Sequence, residues 1–183
     1  MEKSKLTRYI DKVRIGGAVG QAQIVTKDSV THTWVATDDR DALVVLKMSD
    51  SDISDSNLGI GDLQKFSGLL STLGTDISFD VTSVPKNGAD MAAQINSSDD
   101  YGNTIKYMLH DTSVVPSSDG KIVKQLLEQE YDVIFPMDSN FVSKFISGKS
   151  ALGDEVETFT IVTGNDKVSV VIGWNTQHTN RLS

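Results

Sequence analysis

The sequence predicts an α+β protein. Two observations carry that expectation. Helical amphipathic spacing begins at three separated places, near residues 4, 62 and 138, and short β-rich stretches bounded by turn residues fill the intervals. The balance of 38 % hydrophobic and 23 % charged residues is that of a folded chain rather than a disordered one.

Residues 4–15 place Leu6, Tyr9, Ile10 and Val13 on one stripe. Ser4 is the expected N-cap, and Gly16-Gly17 the stop. Lys5, Arg8 and Lys12 are three or four residues apart and share the opposite face. Strands are expected over Ala18–Lys27, Val30–Thr37 and Ala42–Met48, the last two joined by a turn at Asp38-Asp39-Arg40-Asp41. An acidic loop, Ser49–Ser56, leads to a second helix capped by Asp62, with Leu63, Phe66, Leu69, Leu70 and Leu73 on its stripe and Gly74 at its end. Ile77–Val84, Met91–Ser97 and Thr104–His110 read as three further strands.

Asp111–Gly120, with Pro116 and a Ser-Ser-Asp-Gly cluster, is the best linker. Lys121–Gln129 fits a short helix or an irregular connector. Tyr131–Met137 reads as a strand, and Asp138 or Ser139 caps a third helix with Phe141, Val142, Phe145 and Ile146 inside. Phe159–Thr163 and Lys167–Trp174 form a hairpin around Gly164-Asn165-Asp166, and Asn175–Ser183 shows no clear pattern. The helices at 62 and 138 each open on a capping residue and lead into strands. This suggests a repeated unit of one helix and several antiparallel strands.

Composition excludes several classes of function. The 183 residues, 19.9 kDa, suit one ordinary domain or two small ones. Cysteine is absent, which removes disulfides, thiolate zinc sites and cysteine nucleophiles. His32, His110 and His178 are scattered. No apolar run approaches the roughly 20 residues of a membrane span, and the polar start, Met1 to Asp11, does not read as a secretory signal. Asp50, Asp52 and Asp55 invite a calcium-loop reading. With Asp50 in first place, Asp55 and Gly61 fall where such a loop needs Gly and Glu, so a solvated loop fits better. There is no Gly-x-Ser-x-Gly elbow, no phosphate-binding glycine loop and no singled-out carboxylate pair. No cofactor is expected.

A net charge of −8 argues against nucleic acid, yet the basic residues are not spread evenly. Besides Lys5, Arg8 and Lys12, with Arg14 nearby, Lys65 lies on the second helix and Lys144 and Lys149 on the third, while acidic residues crowd into loops. Such faces can track phosphates without reading sequence; each alone also fits an ordinary solvated helix face.

Three stretches, in this order, resemble the DNA sliding-clamp family, in particular the clamps of tailed bacteriophages. They are Lys3-Ser4-Lys5-Leu6-Thr7 with its helix, Leu58–Ser71 with its hydrophobic-x-Asp-Leu-x-x-Phe pattern, and Lys106–Pro116 running into the linker. Phe135–Ile146 resembles the opening of a second clamp domain.

The resemblance implies a DNA-clamp fold, with sheets outside and helices on one face. It implies a first clamp domain over 1–112, a connector over 113–130 and a partial second domain over 131–183. It further implies a non-catalytic processivity factor that encircles duplex DNA and tethers a replicative polymerase, is placed by a clamp loader, and acts in the cytoplasm of a bacterial host as a homo-oligomer, a trimer if it closes a ring. Lys5, Arg8, Lys12, Arg14, Lys65, Lys144 and Lys149 would face the DNA. A partner peptide would dock beside the connector at Val114, Val115 and Pro116, with Leu126 and Leu127; these residues equally fit plain packing of the connector. The sequence departs from the family pattern in showing three helices where a phage-type protomer has four. The rival reading is a structural or assembly protein of virion type with the same α+β build and no DNA contact. A hydrolase would need a convergent polar set that the sequence does not offer.

Overall fold

A computed structural model describes the chain except for Asp38, Asn87, Asp119 and residues 154–158, 165–166 and 174–183. The expected turns at Asp38 and at Asn165-Asp166, together with Trp174 and Asn175–Ser183, thus fall wholly or partly outside the described residues. The chain divides into two compact units, Met1–Gln129 and Glu130–Ser183.

In the first unit, α1 (Lys3–Arg14) buries Leu6, Tyr9, Ile10 and Val13, the stripe its spacing predicts. Ser4 is not its cap. Glu2 holds that position, and the Ser4 hydroxyl donates to the Glu2 carboxylate. The cause is tertiary. The Met1 ammonium donates to Ile77 O at 2.8 Å, Ile77 N donates to Met1 O at 3.0 Å and Lys3 N donates to Thr75 O at 2.8 Å. The chain therefore enters α1 already held in an extended, bridged conformation, two residues earlier than Ser4 would start it. After α1 the backbone turns through Gly16 and Gly17 at φ 64° and 107°, where glycine is unstrained.

Three antiparallel strands follow, β1 (Ala22–Lys27), β2 (Val30–Ala36) and β3 (Leu43–Met48). A fourth, β4 (Ser56–Ile60), was not expected. It pairs with β1, Ala22 opposite Ile60 and Ile24 opposite Leu58, giving the sheet order β3-β2-β1-β4. Asp62 then caps α2 (Leu63–Ser71), its Oδ1 accepting from Lys65 N at 2.7 Å. Strands β5 (Ile77–Lys86), β6 (Ala89–Asp99) and β7 (Thr104–Met108) form a second antiparallel sheet.

The helix-then-strands pattern suggested at 62 and 138 is present, α2 and the helix Ser139–Leu152 each leading into antiparallel strands, and a fuller repeat runs within the first unit. A paired lead-in, a helix and three strands occur twice, with helices starting at Lys3 and Leu63; the first lead-in is a single bridge at Glu2 and the second is the strand β4. Each lead-in pairs with the strand after the other helix: Glu2 bridges Asp76, and β4 pairs β1. The halves are thus interlocked, with α1 packed beside α2. One core cluster joins them, with Ile10, Ile24, Leu58, Phe66, Leu70 and Ile95 all at 1 % exposure or less. Burying such side chains contributes about 1.5–3 kcal/mol each before entropy is set against it.

Past β7, His110 N donates to Gly59 O at 2.9 Å, and Gln23 Nε2 holds the carbonyls of Thr112 and Val115 at 2.7 and 2.8 Å. Ser118 N donates to Trp34 O at 2.7 Å. Residues 121–129 resolve towards the helical alternative: α3 (Gly120–Glu128) buries Val123.

In the second unit no strand forms over Tyr131–Met137. Strand propensity is expressed only against a pairing edge, and Pro136 has no N–H to offer one. Asp138, rather than Ser139, caps α4 (Ser139–Leu152), its Oδ1 accepting from Phe141 N at 2.7 Å. β8 (Phe159–Gly164) and β9 (Lys167–Ile172) form the expected hairpin. Phe145 meets Phe159 edge to face at 5.4 Å. Val142 and Ile146, expected inside, are instead 44 % and 58 % exposed, because one helix on a two-stranded hairpin cannot cover both sides of its own stripe. Among the described residues no helix is long and apolar enough to cross a membrane.

Candidate nucleic-acid interface and partner groove

α1 carries Lys3, Lys5, Arg8, Lys12 and Arg14 against one acid, Asp11. These cations have different employment. Lys3 Nζ donates to Leu73 O beyond the end of α2, which ties the two helices together. Arg14 is half-buried and lies 3.9 Å from Asp11, so its charge is partly answered on its own helix. Lys5, Arg8 and Lys12 do converge. They line an open cavity of about 310 Å³ between α1 and the β3 end, where Leu46 and Met48 form part of the floor. Lys5 Nζ also donates to Asp50 O, while Arg8 and Lys12 are exposed. Glu2 is the acid on this rim.

Lys65 is exposed on the first turn of α2, in the same helix layer as α1 but outside the cavity. Lys144 and Lys149 belong to the second unit. Lys144 is exposed on α4, and Lys149 Nζ donates to Gly153 O at 3.0 Å, capping its own helix. The structure therefore gathers three of the seven predicted cations into one groove. It leaves Lys65 and Lys144 as separate exposed charges, and gives Arg14 and Lys149 local partners.

The helices are basic and the loops are not. α2 and α4 contain no acid within their spans, whereas Asp50, Asp52, Asp55 and Asp100 lie between elements. Exposed lysines and arginines on a helix attract an anionic polymer through its phosphates, without a fixed register.

The connector also forms a groove, of about 710 Å³, against the β2–β3 end. Of the predicted pocket residues, Pro116 and Leu126 line it. Val115 does not; it is 4 % exposed and packs beside Gly59. Val114 and Leu127 are 71 % and 70 % exposed and lie outside the lining. Sequence reasoning missed Leu43 and Ile122, which complete the apolar wall, and Arg40 and Asp41 at its polar end. The Ser118–Trp34 hydrogen bond creates this juxtaposition, and nothing local in the sequence signals it.

Asp111 pins the start of the connector. Its carboxylate accepts from Lys86 Nζ and, at 2.9 Å, from Ser113 N, and the Lys86 hydrogen bond with these backbone contacts holds its pKa down at about 2. Within the layer beneath, Tyr9 donates to Thr33 Oγ1 at 2.9 Å, and burial pushes its hydroxyl up to about 12. His32 lies opposite Lys47 on the other face of the sheet and is pulled down by burial and by that ammonium. In the acidic loop, Asp55 accepts from Asp28 N at 3.0 Å, and among the described residues no cluster of three or more His, Asp or Glu gathers as a metal site.

No known family model matches this chain, and a search of curated proteins finds no match.

Proposed function

We propose that the chain is a non-catalytic, sliding-clamp-like processivity factor. In this reading it holds duplex DNA without regard to sequence and tethers a replicative polymerase in the cytoplasm of a bacterial host, after delivery by a clamp loader. The observation that carries the reading is the separation of charge. A protein of net charge −8 concentrates cations on its helices and places Lys5, Arg8 and Lys12 in one groove. Long, flexible cations neutralise phosphates while allowing translation along the duplex, and acidic loops disfavour contact elsewhere.

The duplicated lead-in, helix and three-strand unit supports a clamp-type domain in the first unit, with both helices in one layer. The roles of Arg14, Lys65, Lys144 and Lys149 as further DNA-facing cations belong to the same proposal, as does ring formation by several copies. The connector groove, walled by Pro116, Leu126, Leu43 and Ile122, suits a short apolar peptide of the polymerase or loader.

The test is a triple charge reversal, Lys5→Glu, Arg8→Glu and Lys12→Glu. None of the three side chains is in the core, so folding should persist. Primer extension by the cognate polymerase should lose its clamp-dependent product length. Unchanged processivity in the folded variant would remove the DNA-facing assignment and favour an assembly protein.

A further inference from the structure

Alternate residues of β2 point away from the helices, and three in succession on that face differ in size: His32, Trp34 and Ala36. Trp34 is the tallest of them. Its ring rests against the His32 imidazole, with centroids 4.6 Å apart. Ala36 follows it along the strand and, with Leu43 opposite on β3, forms the sheet side of the connector groove.

Trp34 does not itself line that groove. It touches both ends of the step by which the connector enters α3. Its carbonyl accepts from Ser118 N at 2.7 Å. The far rim of its indole lies against Gly120, the first residue of α3. A Cβ at Gly120 would stand 2.7 Å from Cζ3 and 3.4 Å from Cη2, so no side chain fits there without movement of the helix or the ring. The rest of α3 is lightly held. Val123 alone among its residues is buried, whereas Ile122 and Leu126, which line the groove, are 52 % and 40 % exposed. With so little buried, the helix takes its placement from Val123 and from the rest of Gly120 on the ring.

We propose that Trp34 is the positioning residue of the connector groove. The indole props the first turn of α3 above the sheet. The small Ala36 beside it leaves the hollow that Leu43, Ile122 and Leu126 wall. Glycine at 120 lets the helix rest directly on the ring, and His32 backs the ring from the other side. The height of the indole thus sets the gap offered to a partner segment. The use of this seat rests on the groove reading given above. The seat itself rests on the contacts of Ser118 and Gly120.

The experiment is a double-mutant cycle on the intact chain, read by amide hydrogen exchange. Gly120→Ala drives a methyl group into the indole and should quicken exchange across α3 about tenfold or more, with β1–β3 unchanged. Trp34→Phe keeps a ring against His32 but lacks the far rim, so it makes room for that methyl. The double variant should therefore exchange more slowly in α3 than Gly120→Ala alone. Simple addition of the two effects, or no change in α3 with Gly120→Ala, would overturn the seat. Primer extension by the cognate polymerase then reads the groove. Gly120→Ala should shorten clamp-dependent products, and the double variant should restore them. Leu43→Glu charges the groove wall without touching the seat and should also shorten them. If Leu43→Glu shortens products and Gly120→Ala does not, the positioning role is overturned. If neither does, the groove reading is overturned, and the role of the seat falls with it.

Discussion

Adding one methyl group at Gly59 should loosen the connector. Gly59 lies in β4, and its carbonyl accepts from His110 N at 2.9 Å. A Cβ there would run into the His110 carbonyl oxygen and lie 3.1 Å from its carbon and 3.3 Å from Val115 Cγ2. The obstacle is backbone, so β4 and the segment from His110 to Val115 must separate. Overpacking costs about 1–3 kcal/mol, and weakening the hydrogen bond adds about 1 kcal/mol. Alanine recovers about 0.4–1 kcal/mol by restricting the unfolded chain. The net destabilisation for Gly59→Ala is about 2 kcal/mol, a fall in Tm on the order of 10 °C for a unit of this size. Gly61→Ala is the internal control. Its Cβ would meet the His110 imidazole, but that residue is exposed and its ring can swing into solvent, so the cost should stay below about 1 kcal/mol. Thermal melts followed by circular dichroism compare the two. Equal melting points, or a larger loss for Gly61→Ala, would refute the reasoning that backbone contact fixes the connector.

The remaining predictions are smaller. Asp62→Ala removes the acceptor for Lys65 N and should cost about 1 kcal/mol in urea denaturation, with α2 fraying first in hydrogen exchange. Tyr9 has a folded pKa of about 12, above its ordinary 10.0. Its contribution to stability is therefore complete below about pH 10 and is lost as pH rises towards 12. Tyrosinate absorbance should show one of the four tyrosines ionising last, and Tyr9→Phe should delete that step. Asp111, held down at about 2, should titrate by NMR well below its ordinary 3.8 and move up in Lys86→Met; its contribution is present above 3.8 and is lost as pH falls towards 2.

Periodicity was enough for the helices that bury a stripe. Leu6, Tyr9, Ile10 and Val13, and likewise Leu63, Phe66 and Leu70, state their inner face in their spacing. It failed where structure is made by distant pairing. Ser56–Ile60 has little strand character of its own and becomes β4 only against β1. Tyr131–Met137 has that character and forms no strand. Ser4 lost the capping position because Met1–Lys3 are held by Thr75 and Ile77, far along the chain. The candidate site divides in the same way. The i, i+3, i+7 spacing of Lys5, Arg8 and Lys12 puts them on one helix face, and they do share a groove. The connector groove depends on Leu43 and Ile122 meeting across the fold, so sequence proximity suggested Val114 and Leu127, which lie outside it.

The most direct test of a cationic, sequence-blind hold on DNA is the salt dependence of duplex binding, measured for the intact chain on two unrelated sequences. If Lys5, Arg8 and Lys12 each displace one counterion, these three alone contribute about −2.7 to the slope of log K against log salt, roughly a 40-fold loss between 50 and 200 mM, and the further cations steepen it. Both duplexes should give the same line, and the triple glutamate variant should bind far more weakly with a shallower slope. A salt-independent affinity, a strong preference for one sequence, or unchanged binding by the triple variant would contradict the account.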